Sequence, residues 1–178
     1  MTNTERTPDA WALGLAGSSP IPMATRWREQ YARMKRWHSR IIESQSVDSH
    51  AVDDVYAFFV CCYHLKDWIK NDDSVEKTIR DEVETTVSAS PMLSLSADIT
   101  NGYKHLKLNK KARVDASAHV ETIGTPLGDF TLDDSRLNGI VVGGAQAPLD
   151  AKVVAQQCLE AWGAFLRARG MSSGTDPQ

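Results

Sequence analysis

Two short stretches place histidines beside carboxylates, amides and lysines at helical spacing: Tyr63-His64-Leu65-Lys66-Asp67-Trp68 and Asp98-Ile99-Thr100-Asn101-Gly102-Tyr103-Lys104-His105-Leu106. Residues three, four and seven apart share a helix face. His64, Asp67 and Asn71 therefore line one face, while Asp98, Asn101 and His105 line another with Lys104 beside it. If the two helices pack antiparallel, two imidazoles, two carboxylates, an amide and an ammonium meet across a bundle. Such a set suffices for acid–base chemistry or for a metal. It also suffices for a structural network in which each imidazole is oriented by a carboxylate. The spacing leaves these readings open.

Other chemistries find less support. His64, Asp67, Asp98 and His105 offer up to four metal ligands, but no pair of histidines four apart flanks a glutamate and no Glu-x-x-His step occurs. Neither a metal nor a cofactor is expected. Cys61, Cys62 and Cys158 are odd in number, sit in apolar stretches and lack paired spacing, which predicts reduced core thiols. No Gly-x-Ser-x-Gly elbow is present. Gly143-Gly144 has no following lysine and serine or threonine, so it is no phosphate loop.

The elements that must position these residues are mainly helical. Apolar residues at three- and four-residue steps predict helices near 25–44, 48–70, 74–88, 92–108 and 149–169. Asp48 or Ser49 can cap the second helix and Asp150 the last, with Gly170 as its stop. The second is apolar on more than one face and should be central; the third, more polar, should be peripheral. Within the fourth, Gly102 costs about 1 kcal/mol in helix propensity relative to alanine, which suggests close approach of a neighbour. From Arg113 the period changes to alternation through Val114, Ala116, Ala118 and Val120, with Phe130-Thr131-Leu132 and Gly139-Ile140-Val141-Val142 as strand partners. The expected fold class is mainly α: a bundle of about five helices with a small antiparallel β insertion, at about 113–143, before the C-terminal helix.

The 178 residues, 42% hydrophobic, fit one domain over about 23–170, preceded by a flexible arm (1–22) and followed by a disordered tail (171–178). No run approaches the ~20 apolar residues that span a bilayer, and no signal peptide is recognisable, so a cytoplasmic protein without a membrane partner is expected. The net charge of −3 gives no bulk attraction to nucleic acid. Its cations are nevertheless clustered, in Arg26, Arg28, Arg33, Lys35, Arg36 and Arg40, and again in Lys104, Lys107, Lys110, Lys111 and Arg113. Solvated helix faces explain either cluster alone; a basic surface shared by the two, able to track a phosphate backbone, is the expectation to test.

Thr100-Asn101-Gly102-Tyr103-Lys104-His105 resembles the HEPN signature, in which an arginine, usually followed by a polar residue, precedes a histidine on a helix. Asn101 and His105 match that pattern; Thr100 stands where the arginine belongs, and Lys104 is the nearby cation. The resemblance covers six residues. It implies a helical bundle, frequently dimeric, acting on RNA without metal, in a toxin or phage-defence setting, with His105 as acid or base and Asn101 and Lys104 orienting a phosphate. Cys62 to Ile69 together with Asn101 to Leu106 is also similar to a family of small uncharacterised bacterial proteins, from which no activity carries over. The expectation is a HEPN-like protein binding or cleaving RNA, with Lys107, Lys110, Lys111 and Arg113 on the backbone, and RNA and a second copy of the chain as partners. A non-catalytic interaction protein, or a small-molecule or metal-dependent enzyme built on His64, Asp67, Asp98 and His105, are the alternatives.

Overall fold

A computed structural model describes residues 26–45, 47–105, 111–124, 138–145 and 147–171. Among them are five helices and three strands in the order α1 (Arg26–Glu43), α2 (Ser49–Lys70), α3 (Lys77–Ala89), α4 (Pro91–His105), β1 (His119–Gly124), β2 (Asn138–Gly143), β3 (Leu149–Asp150) and α5 (Ala151–Ala168). The fold is mainly α, with a small antiparallel sheet of order β1-β2-β3 before the last helix. The expected arm, all of the expected tail but Met171, Phe130 to Leu132, and Leu106 to Lys110 lie outside the described residues.

α2 is the central helix because its buried residues, among them Val55, Phe58, Phe59, Cys62, Leu65 and Ile69, cover more than one face and meet α1, α3, α4 and α5. Trp162 on α5 fixes one of these contacts by donating its indole N–H to the Cys62 carbonyl at 3.1 Å. On the α1 side, the buried Gln30 amide donates to the Cys61 carbonyl at 3.1 Å. All three cysteines are free and buried. The hydrogen bond with Cys62, together with burial, pushes the Cys158 thiol well above its ordinary pKa, so it stays protonated inside the bundle.

The helix ends follow the capping chemistry of the sequence. Asp48 accepts the Ala51 amide at 3.0 Å, and Asp150 accepts those of Lys152 and Val153. Gly170, at φ +63°, closes α5, and the Met171 amide returns to the Leu166 carbonyl at 2.9 Å. α3 starts three residues later than the expected Ser74. The reason is Asp72, which is buried and accepts both the Ser74 amide and hydroxyl while also reaching the Trp27 amide at the start of α1. Those bonds hold 72–75 in a turn and satisfy its donors outside a helix.

The sheet departs from the expected register of elements. Residues 113–118, expected to open a strand, form turns, and β1 runs instead over His119–Gly124. Asp98 and Asp115 cause this by taking the backbone amides of the segment onto their carboxylates, which removes them from any ladder. β1 pairs with β2 through Val120↔Val142 and Thr122↔Ile140. The short β3, which the sequence pattern assigns to the last helix, pairs through Val142↔Leu149. β1 is fastened to α2 by Tyr56, whose hydroxyl accepts the Val120 amide at 3.1 Å and lies 3.4 Å from its carbonyl. No described helix is long and apolar enough to cross a membrane.

Candidate functional site

α2 and α4 pack against each other, and two contacts fix their relative register. The Cys62 thiol meets the Ser96 hydroxyl at 3.6 Å, and the Tyr56 and Tyr103 rings stack with centroids 4.4 Å apart. The helices are therefore antiparallel, as the convergence of the two motifs requires. Their offset is a different matter. His64 falls level with about residue 94 of α4, whereas the backbone of His105 falls level with about residue 54 of α2, a displacement of roughly 15 Å along the axis at ~1.5 Å per residue. The structure consequently pairs His64 with Asp67 on α2 and ties Asp98 to the backbone of residues 113–115, and does not assemble one joint cluster.

The first group surrounds the C-terminal half of α2. His64 Nδ1 lies 3.2 Å from Asp67 Oδ2, and Lys66 Nζ lies 2.9 Å from Asp67 Oδ1. Burial opposes ionisation of Asp67, but the hydrogen bonds from Lys66 and His64 outweigh it and hold the carboxyl below its ordinary pKa. An ionised carboxylate only accepts, so Nδ1 of His64 carries the proton and Nε2 is left as the other ring position. Lys66 is only 8% exposed. Its ammonium bridges Asp67 to Glu84 of α3 at 3.3 Å and lies 4.7 Å from the Tyr63 ring centroid. Glu84 also pairs with Arg113, whose guanidinium bonds Ser88 at 2.7 Å and approaches Tyr63 from 5.9 Å. Against the cost of burial, these partners hold Glu84 below and both Lys66 and Arg113 above their ordinary pKa values. The result is a charge-balanced chain running His64–Asp67–Lys66–Glu84–Arg113 that ties α2, α3 and the segment after α4 together.

Asp98 serves that same segment through its backbone. It is 2% exposed and accepts three amides, from Arg113 at 2.9 Å, Val114 at 2.7 Å and Asp115 at 2.9 Å. Those bonds occupy both oxygens, and none joins Asp98 to His64 or Asp67. Asp98 is thereby an anchor for the chain entering the sheet. Gly102 faces the same segment: a Cβ there would sit 3.6 Å from the Ala118 carbonyl oxygen, an ordinary contact.

The second group occupies the C-terminal end of α4. Asn101 is half-buried, and Lys104 and Tyr103 are exposed, Tyr103 at 60%. His105 closes the described helix. Lys111 is exposed where the chain resumes. No described carboxylate pairs with Lys104 or Lys111. Lys107 and Lys110 lie outside the described residues, and Arg113 is engaged by Glu84 and Ser88 as described above.

Sequence reasoning passed over Glu84, Asp72 and Asp115: Glu84 takes its partners from other elements, and Asp72 and Asp115 join a local turn to a distant amide, none of which leaves a periodic trace. Lys66 did leave a signal, because it falls in step with Cys62 and Ile69 on a buried stripe where a solvated lysine has no place. Among the described residues, no three His, Cys, Asp or Glu side chains gather closely enough to hold a metal ion. No family model matches the chain, and neither a curated protein nor a solved structure matches it.

Proposed function

We propose that the protein binds RNA at the C-terminal end of α4 and acts on it through His105. The observation that supports this reading is the contrast in how the cations are used. Lys66 and Arg113 are tied up by carboxylates, as are Arg36 and Arg40 of α1 with Glu29 and Asp54, whereas Lys104 and Lys111 stand exposed. Unpaired lysines attract phosphates, and the exposed Tyr103 ring, braced on Tyr56, offers a face on which a base can stack. Asn101 and His105 lie one helical turn apart on α4, with Lys104 beside them in sequence, the spacing that contact with one phosphate requires. In the reaction His105 acts as acid or base while Asn101 and Lys104 orient the phosphate. A second copy of the chain, placing two such helix ends across a cleft, is part of the proposal.

The test is cleavage of single-stranded RNA by purified protein in the presence of a chelator, with size measured in parallel. Cleavage should be lost in His105→Ala while binding and folding persist. Joint neutralisation of Lys107, Lys110 and Lys111 should weaken binding and flatten its salt dependence. Folded protein that neither binds nor cuts RNA at low salt overturns the reading.

A further inference from the structure

We propose that the pocket at the junction of α1 and α2 is a second, independent ligand site that takes a small aromatic oxyanion, its ring against Trp68 and its carboxylate or phosphate on Arg26. The pocket has a volume of about 410 Å³ and, among the described residues, is lined by Arg26, Asp67, Trp68 and Asn71. That volume lies in the range of small-molecule sites, ~300–1,000 Å³.

Four features define the ligand. Arg26 lines the pocket, and its buried Nε has no hydrogen-bond partner among the described residues. A guanidinium short of acceptors is costly to bury, and an oxyanion in the pocket offsets that cost with a charge-assisted bond to the Arg26 guanidinium. Trp68 supplies the aromatic wall and is held from the α1 side by the Arg33 guanidinium, 5.8 Å from its centroid, so its orientation is set before a ligand arrives. Asp67, the one carboxylate among the described residues of the wall, opposes an anion only weakly, because the Lys66 ammonium offsets its charge and His64 takes its second oxygen. Asn71 donates its amide N–H to the Asp67 carbonyl at 2.8 Å, which leaves its side-chain oxygen to accept from a polar substituent on the ligand ring. A bare inorganic anion would satisfy Arg26 but leave Trp68 unused; a neutral aromatic would do the reverse.

Calorimetric titration of the full chain with phenyl phosphate, benzoate, inorganic phosphate and benzamide tests the site. At least one of the two aromatic oxyanions should bind saturably and about tenfold or more tighter than inorganic phosphate or benzamide, and which one prevails separates a phosphate ligand from a carboxylate ligand. Arg26→Gln, with its fold checked by circular dichroism, should lose about tenfold in affinity through the missing charge-assisted bond. Trp68→Phe, which keeps a ring and the packing, should retain more affinity than Trp68→Leu. Replacing Lys104 and Lys111 by alanine should leave this binding unchanged, so failure of the RNA reading does not touch it. Absence of saturable binding by either aromatic oxyanion, or equal affinity in folded Arg26→Gln, overturns the proposal.

Discussion

The C-terminal half of α2 and the C-terminal end of α4 carry similar residue types, a histidine with amide or carboxylate neighbours and at least one lysine, and they use them differently. Along α2, every charge from Asp67 to Arg113 finds an opposite charge from its own or another element. At the end of α4, Lys104 and, where the described chain resumes, Lys111 are exposed. The difference teaches that charge spent on joining helices is no longer free to attract a ligand, because each pair cancels its field at a distance. Composition alone marks both regions as basic and polar; pairing separates a brace from a candidate surface.

Removing the anchor between the regions should produce the largest effect. Asp98→Ala strands three backbone amides in a partly buried turn and should cost roughly 1.5–3 kcal/mol in urea denaturation, with amide exchange accelerated at 113–115. A loss below about 0.5 kcal/mol would show that water serves those amides equally well. Lys66→Ala comes next, at about 1–2 kcal/mol, between a surface pair and a fully buried one, since its partners are themselves partly exposed.

Acid should distinguish the regions as well. Asp67 and Glu84 have depressed folded-state pKa values, so the folded protein binds fewer protons there than the unfolded chain. Their stabilisation is present above the ordinary carboxylate range and lost as pH falls below about 4 through the folded values. Glu84→Gln should flatten that loss in denaturation curves recorded across the acid range; an unaltered curve would remove the brace from the explanation of acid stability. The smallest effect on stability belongs to the end of α4. Lys104→Ala with Lys111→Ala should stay within about 0.5 kcal/mol of the parent, yet weaken RNA binding measured by fluorescence anisotropy. A large stability loss would mean that these lysines also brace the fold.

Helix existence, the central place of α2, its Asp48 cap, the Asp150 cap and the Gly170 stop were legible in the sequence, because each depends on residues within a few positions of one another. The pairing of His64 with Asp67 was legible for the same reason, being a step of three on one helix. The strand expected from Arg113 was misplaced because its alternating pattern was genuine but its amides were claimed by Asp98, fifteen or more residues earlier in the chain. A periodicity argument cannot see a competitor for backbone hydrogen bonds at that separation.

The sequence by itself therefore determined which side chains share a helix face, since that follows from the 3.6-residue turn of each helix alone. Only the tertiary structure decided which faces meet and at what height. Packing of Cys62 on Ser96 and Tyr56 on Tyr103 sets the axial offset of α2 and α4. Contacts between elements likewise give Lys66 and Arg113 to Glu84 of α3 and Asp98 to the backbone of the turn, and leave Tyr103 and Lys104 exposed. An offset between two rods is fixed by the shapes of their contacting side chains, which helical spacing within either rod does not encode.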